Sequence, residues 1–421
     1  MTRESKVATV IRQHAEDAAV LRNARTHLVR APHVKLHQLA RLDERLAGHL
    51  DGLAVAGEHG ARIAAAALEA PGRAEVFVAA VCAIEGRDPV GLERLFALAQ
   101  AMPELRPGLV SAFGWVPGAS LQGITRALLY SRGALPREVG LVACALHGVD
   151  AGVALDAALR DDDPGLRSRA LRLVARRGDV DRLPACMAAM VDADEACARE
   201  AAHAAALLGQ RGHPVVAALE RLVLAPGPGQ WRALSLLLKV LDPAEARTVL
   251  TALARDATMA RPLIRGIGMA GDAGFLPWLL RQMNDPALAR IAGEAFSLIT
   301  GLDLALLDLE RDAPAGVAFG PNDDPDDDDT SMDEDAGLPW PDPDRLEAWL
   351  QREGQHLVSG VRWFMGAPVS PGHCLHVLRH GFQRQRSAAA VHLSLLAPGT
   401  PLFDTAAPAG RQQRRLAAMG G

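Results

Sequence analysis

The chain has almost no lysine, few aromatic residues, and no pair of cysteines at a metal-binding or redox spacing. Lys6, Lys35 and Lys239 are its lysines, among 45 basic residues in all, so arginine carries the positive charge. A GC-rich genome produces that bias without any arginine-specific ligand. Aromatic residues make up 4%, with Tyr130 the single tyrosine. Strand-rich proteins draw more heavily on β-branched and aromatic side chains, so this composition argues for helix. The five cysteines, Cys82, Cys144, Cys186, Cys197 and Cys374, are odd in number and scattered, which excludes a disulfide framework. No apolar run approaches the roughly 18 residues a membrane span needs. The opening Met1 to Ser5 lacks the basic-then-apolar order of a secretory signal. A cytoplasmic protein without a membrane span is expected.

What is present is a beat. Glycine recurs about every thirty residues, at Gly57, Gly86, Gly118, Gly148, Gly178, Gly209, Gly271 and Gly301. The doubled interval between Gly209 and Gly271 is bridged by Val240 with Asp242 and Pro243, a different helix stop. Glycine alone is too common to decide the matter, with 39 in the chain, but Asp163, Asp194, Asp256 and Asp285 keep the same phase. Asp88-Pro89, Asp163-Pro164, Asp242-Pro243 and Asp285-Pro286 each set a capping carboxylate before a proline at the first helical position.

From Asp163 the pattern reads as alternating helices over 164–177, 180–191, 195–208, 213–224, 230–241, 243–255, 258–270, 273–283, 286–299 and 302–310. The 286–299 segment places Leu288, Ile291, Ala292, Ala295, Leu298 and Ile299 on one face. Ala170 and Ala201, and Ala175 and Ala206, occupy matching places 31 residues apart, with Ala292 in register with Ala170, and allow close helix contact. The expected fold is all-α, a HEAT-like α-solenoid of antiparallel helix pairs with a small C-terminal helical extension.

Four regions are expected. Residues 1–56 hold two atypical helices, 4–30 and 34–55, that cap the stack. Residues 57–314 form the repeats. Residues 315–341 form an acidic linker or loop, because Asn322 to Asp335 contains eight aspartates and one glutamate and cannot collapse. The run lacks the central glycine and terminal glutamate of a calcium-binding loop. Residues 342–421 carry helices at 343–353, 372–381 and 384–396, then a Pro/Gly-rich tail expected to fray.

Little chemistry is legible. His373, Cys374, His376 and His380 are the densest set of potential ligands, but the His-Glu-x-x-His context is absent and they read as ordinary helix residues. No Gly-x-Ser-x-Gly elbow and no phosphate-binding glycine loop is present. No catalytic residue, cofactor or metal is expected. Arg167, Arg169, Arg172, Arg176 and Arg177 form a basic patch on one helix, and Trp231 and Trp278 offer stacking surfaces. These carry the alternative of a HEAT-like DNA-binding or base-excising repair protein, which the acidic neighbours Asp161 to Asp163 and Asp179 weigh against.

Three segments carry a resemblance: Leu42 to Leu53, Arg290 to Leu304 with its Arg-Ile-Ala-Gly-Glu-Ala-Phe core, and Gly381 to Asp404 with Gln383, Arg384, Arg386 and Phe403. They resemble a proteobacterial HEAT-like family of about 400 residues with no assigned reaction, often encoded beside type VI secretion genes. The resemblance implies that context, and together with the extended repeats and the absent catalytic motifs it leads to the expectation of a non-enzymatic adaptor that binds an effector, spike or adaptor component, with a toxin-binding immunity protein as an alternative. Within these segments Arg290 and Glu294 lie at i,i+4 away from the apolar stripe, with Phe296 at its margin and Gly293 admitting a neighbouring helix. An ion pair and a packed aromatic explain them, or a partner contact does. Arg384 and Arg386 are expected to point into the acidic 323–335 segment or toward a partner. Arg290, Glu294, Phe296, Arg384 and Arg386 are therefore the candidate partner-binding residues.

Overall fold

In the computed structural model, residues 3–225, 227, 229–317, 320 and 332–419 are described. Asp323, Asp324 and Asp326 to Asp329 of the acidic run lie outside them. The described chain is all-α, with twenty-two α-helices and one two-stranded hairpin. It divides into two compact units: Met1–Ala204 with Phe382–Ser387 and Pro398–Gly421, and Ala205–Gly381 with Ala388–Ala397. No described helix is long and apolar enough to cross a membrane.

Within each unit, helices about thirty residues apart pack on one another. In the first, Arg73–Glu85, Arg106–Trp115, Ala134–Leu146 and Pro164–Arg177 form such a row. In the second, Gln230–Val240, Ala260–Ala270 and Ala289–Thr300 do the same. This sequential packing is solenoid-like: each helix buries its apolar stripe against its neighbours. Phe77, Leu109, Phe113 and Val139 are fully buried in the first unit. Leu237, Ile264, Ile267, Leu279 and Ile299 are fully buried in the second. Ala170, Ala201, Ala206 and Ala292 are also fully buried, as small residues at close helix contacts must be.

The Asp-Pro signals act as caps. Asp88 accepts from Gly91 N at 2.9 Å and Asp163 from Leu166 N at 2.8 Å. Asp242 forms a full capping box with Glu245. Asp285 departs from the expectation. Its carboxylate accepts from Ala287 N at 2.9 Å and holds a turn, so the helix begins at Ala289 and not at 286. The expected helix at 302–310 does not form: Asp308 takes φ 54° and Leu309 N bonds back to Leu304 O at 2.9 Å, closing a turn.

The glycine beat has a second purpose that the repeat pattern does not convey. Gly178, Gly271 and Gly301 end their helices in the left-handed conformation, and the later chain passes directly over all three. A Cβ on Gly271 would lie 2.0 Å from Trp363 O, on Gly301 2.6 Å from Met365 O, and on Gly178 2.6 Å from Gly399 O. The last four carbonyls of a helix lack internal partners, and the later segments supply donors. Trp363 N donates to Gly271 O at 2.8 Å, Met365 N to Leu298 O at 2.6 Å and Gly366 N to Ile299 O at 3.0 Å. In the first unit Leu402 N donates to Arg176 O at 2.9 Å. At the missing beat, Leu241 is extended and no glycine is needed. There the Arg362 guanidinium takes over, donating to Leu238 O and Leu241 O.

The C-terminal region carries the expected helices, Pro343–Glu353, Pro371–His380 and Gln383–Leu396, but adds a hairpin and has a packed tail where fraying was expected. Trp363–Phe364 pairs antiparallel with Ala367–Pro368 across a turn in which Met365 and Gly366 both have positive φ. Residues 399–419 are packed: Phe403, Ala409, Gln412 and Leu416 are buried, and Ala409–Ala418 is a helix against Leu36–Val55.

Replacing Gly271 by alanine is expected to destabilise the second unit by more than about 2 kcal/mol, since left-handed strain of about 1–2 kcal/mol adds to displacement of the Trp363 backbone. Gly148→Ala, where φ is 70° but nothing lies within 4 Å of the added Cβ, should cost only the strain. Thermal or urea melts of the two variants test the difference.

Candidate functional site

The five candidate residues fall into two separate places, and burial dominates both. In the second unit, Arg290 is 7% exposed and does not lie on a solvent face. Its guanidinium makes a bidentate pair with Asp333, both contacts at 2.7 Å, donates to Asp335 O at 3.2 Å and lies 5.1 Å from the Trp340 ring centroid. The Arg290 hydrogen bonds hold the Asp333 carboxyl below its usual range. Arg261 reaches Asp335 at 2.6 Å, and Arg265 reaches Glu334 at 3.6 Å. The described end of the acidic run is thus pinned on this unit's own arginines, and the expectation of a solvated linker does not hold for residues 332–341, where Asp335 and Leu338 are buried. Phe296 is fully buried and meets Trp349 edge-on at 6.3 Å. Glu294 is half-buried. Gly293 admits Pro341 and Leu304 side chains, each within 3.3 Å of a built Cβ, where a neighbouring helix was expected.

In the first unit, Arg386 is fully buried and donates to the amide oxygens of Gln383 and, at 2.6 Å, Gln412. Burial lowers its pKa to about 10. Arg384 Nε donates to Arg30 O at 3.1 Å. These bonds hold the C-terminal segment to the first helices. Gln412 continues the network to Thr405 O and Ala407 O. Beside it, Arg25 and Asp43, both buried, pair at 2.6 Å. Arg25 also donates to Ala406 O and Ala407 O, while Asp43 accepts from Ala409 N at 2.7 Å. Asp43 thereby caps a helix that lies 366 residues further along the chain. A buried pair is tolerated because every charge here is hydrogen-bonded.

The basic patch on Pro164–Arg177 is matched by carboxylates. Arg167 pairs with Asp192 at 2.9 Å, Arg169 with Glu138 at 2.8 Å, Arg172 with Glu200 at 2.6 Å, Arg176 with Asp404 at 3.1 Å and Arg177 with Asp150 at 3.3 Å. Guanidiniums already paired with protein carboxylates make a poor footprint for nucleic-acid phosphates.

Beside this helix a cleft of about 410 Å³ opens between the ends of Ala134–Leu146 and Pro164–Arg177 and the segment 401–415. Arg176, Arg177, Arg411 and Arg415 face it with one carboxylate, Asp404, and its walls include Leu146, Leu173, Leu402 and Phe403. His147 also lines it, bonded through Nε2 to Phe113 O at 2.8 Å; burial lowers its pKa, so it stays neutral at pH 7. Arg411 and Arg415 were visible in the sequence as part of a basic tail but not as cleft residues. Only the packing of that tail brings them here.

Cys144, Cys186, Cys197 and Cys374 are buried and Cys82 is half-buried. Burial pushes the Cys82 and Cys186 thiols up to about 12 and those of Cys197 and Cys374 to about 11, out of the reactive range. His373 is bonded to Phe364 O at 2.8 Å, and among the described residues no three His, Cys, Asp or Glu gather as around a metal ion. Lys239, in the second unit, is a different case. Burial, with Arg362 nearby, lowers its ammonium to about 7. It is 8% exposed and bonded to Ser235 Oγ at 2.9 Å and Met269 Sδ at 2.9 Å, so it is sealed in the fold. His392, buried nearby, is driven well below its ordinary value by burial and by Lys239 and Arg362.

Comparison of the chain with models of protein families, with curated proteins and with solved structures gave no match.

Lys239 makes a pH prediction. Its folded pKa of about 7 lies below the unfolded value of about 10.4. Between these values the unfolded chain binds the extra proton, so stability rises with pH across that window and is lowest once the buried amine is charged. Neutral His392 adds a loss as pH falls below about 6.5. Lys239→Met should raise the melting temperature most at pH 6 and progressively less toward pH 10. A gain independent of pH would show that the amine is not buried as described.

Proposed function

We propose that the chain is a non-enzymatic scaffold that binds another protein, and that the cleft between Arg176, Arg411 and Arg415 is its binding site. The observation that carries this reading is the cleft itself. It is a concave, half-apolar site with more positive than negative charge, placed among packed repeats, while Cys144, Cys186, Cys197, Cys374 and Lys239 are buried. Helical repeats present such surfaces to protein partners because each repeat adds area without altering the others.

The resemblance of residues 42–53, 290–304 and 381–404 points the partner toward type VI secretion, as an effector, spike or loading adaptor. Arg290, Phe296 and Arg386 serve this role indirectly, by holding the frame; their burial removes them from direct contact.

Affinity purification of the full chain from its native host in mild salt, followed by mass spectrometry, should recover a stable protein partner encoded with secretion components. The pair should then assemble from purified proteins on a sizing column. Recovery of no stable partner would overturn the reading.

A further inference from the structure

The charges around the cleft do not cancel. Asp404 is bound to Arg176, and Arg177 is bound to Asp150. Arg411 and Arg415 make no ion pair among the described residues, and Asp404, already paired with Arg176, acts on both from further off. Arg411 donates to Leu146 O at 3.1 Å, and Arg415 to Leu402 O at 3.4 Å and Pro401 O at 2.8 Å. Carbonyls orient these guanidiniums without neutralising them. The buried Nε of Arg177 likewise has no hydrogen-bond partner among the described residues. Excess positive charge in a partly desolvated cleft is relieved by an anion, and charge-assisted bonds to a carboxylate are the strong kind.

The apolar surfaces narrow the kind of anion. Leu146 and Leu402 are half-buried in the walls and Pro401 is exposed at the mouth. Val149, one residue beyond Gly148 of the lining, is 54% exposed. Inorganic phosphate would leave these surfaces wet. A nucleotide base would need a free aromatic face, but the Arg415 guanidinium covers Phe403 at 5.1 Å from the ring centroid. A peptide with alternating acidic and apolar side chains satisfies both features.

We propose, resting on the scaffold reading above, that the cleft takes an acidic segment of a protein partner, with carboxylates on Arg411 and Arg415 and an apolar side chain against Leu146, Pro401 and Leu402. The segment binds as one or two carboxylate-guanidinium pairs over an apolar contact, so its affinity falls as salt rises.

The probe is an array of six-residue peptides permuting Asp and Glu with Leu, Val and Phe, each beside its Asn or Gln counterpart, applied to the full chain. The tightest binder is then measured in solution by fluorescence anisotropy. Acidic peptides should bind and their amide counterparts should not. Arg411→Gln should weaken binding about tenfold, the loss of one charge-assisted contact of about 1.4 kcal/mol. Pro401→Glu, a substitution at an exposed position, sets a like charge at the mouth and should weaken it similarly if Arg411→Gln fails to fold. Equal binding of the amide peptides, no effect of either substitution, or full displacement by millimolar phosphate or ATP would each overturn the proposal. A purified partner that binds the Pro401→Glu chain as tightly as the parent sinks the proposal while leaving the scaffold reading intact. Acidic peptides that bind a chain with no recoverable protein partner would sink the scaffold reading instead.

Discussion

Every helix leaves carbonyls without partners at its C-terminal end, and a stack of helices leaves a row of them. In this chain that row is a binding surface for the protein's own later segments. The hairpin at 363–368 docks on the ends of two helices in the second unit through Trp363 N, Met365 N and Gly366 N. Residues 399–415 dock on the ends of two helices in the first through Leu402 N and Arg411. At Gly178, Gly271 and Gly301 a left-handed glycine turns the helix away and, lacking a Cβ, leaves room for the second backbone. Where the glycine is missing, a guanidinium reaches over the helix end. Gly178, Gly271 and Gly301 are therefore fixed by two constraints at once, the turn and the close approach, and the second is invisible to a count of spacings.

Arginine without lysine suits this arrangement. A planar guanidinium can bridge two carbonyls, as Arg362 does, or clasp a carboxylate in two places, as Arg290 does with Asp333. The five arginines of Pro164–Arg177 reach carboxylates on other helices, on loops and on the 398–421 segment, so a patch that looks like a nucleic-acid footprint in one dimension is a set of ties in three. Lys239, which is buried, lacks a carboxylate among its hydrogen-bond partners and has its ammonium pKa lowered by that burial.

The helical class, the repeat length and most helix starts were legible because they rest on local rules: Asp-Pro caps, apolar spacing and glycine stops act within a few residues. The misses share a cause. The helix expected at 302–310 is broken by positive φ at Asp308, which no short-range signal marks. The tail expected to fray is held by Asp43 and Gln383, hundreds of residues earlier or on another element. Arg290 and Phe296 read as an ion pair and a packed aromatic or as a partner contact, and Arg386 as reaching the acidic run or a partner, because a charged side chain or an aromatic at the edge of an apolar stripe gives no sign of which distant segment will cover it. The cleft depends on the same folding-back of the tail, and none of its geometry could be drawn from spacing.

The central claim is that the later segments are structural members of the stack, bonded to its helix ends. Amide hydrogen exchange on the full chain measures this directly at residues 361–368 and 399–404. The account expects protection of Trp363, Met365, Gly366 and Leu402 comparable to that of the buried helices Ala260–Ala270 and Pro164–Arg177. Exchange of these amides at the rate of an unstructured loop, with the helices still protected, would contradict it.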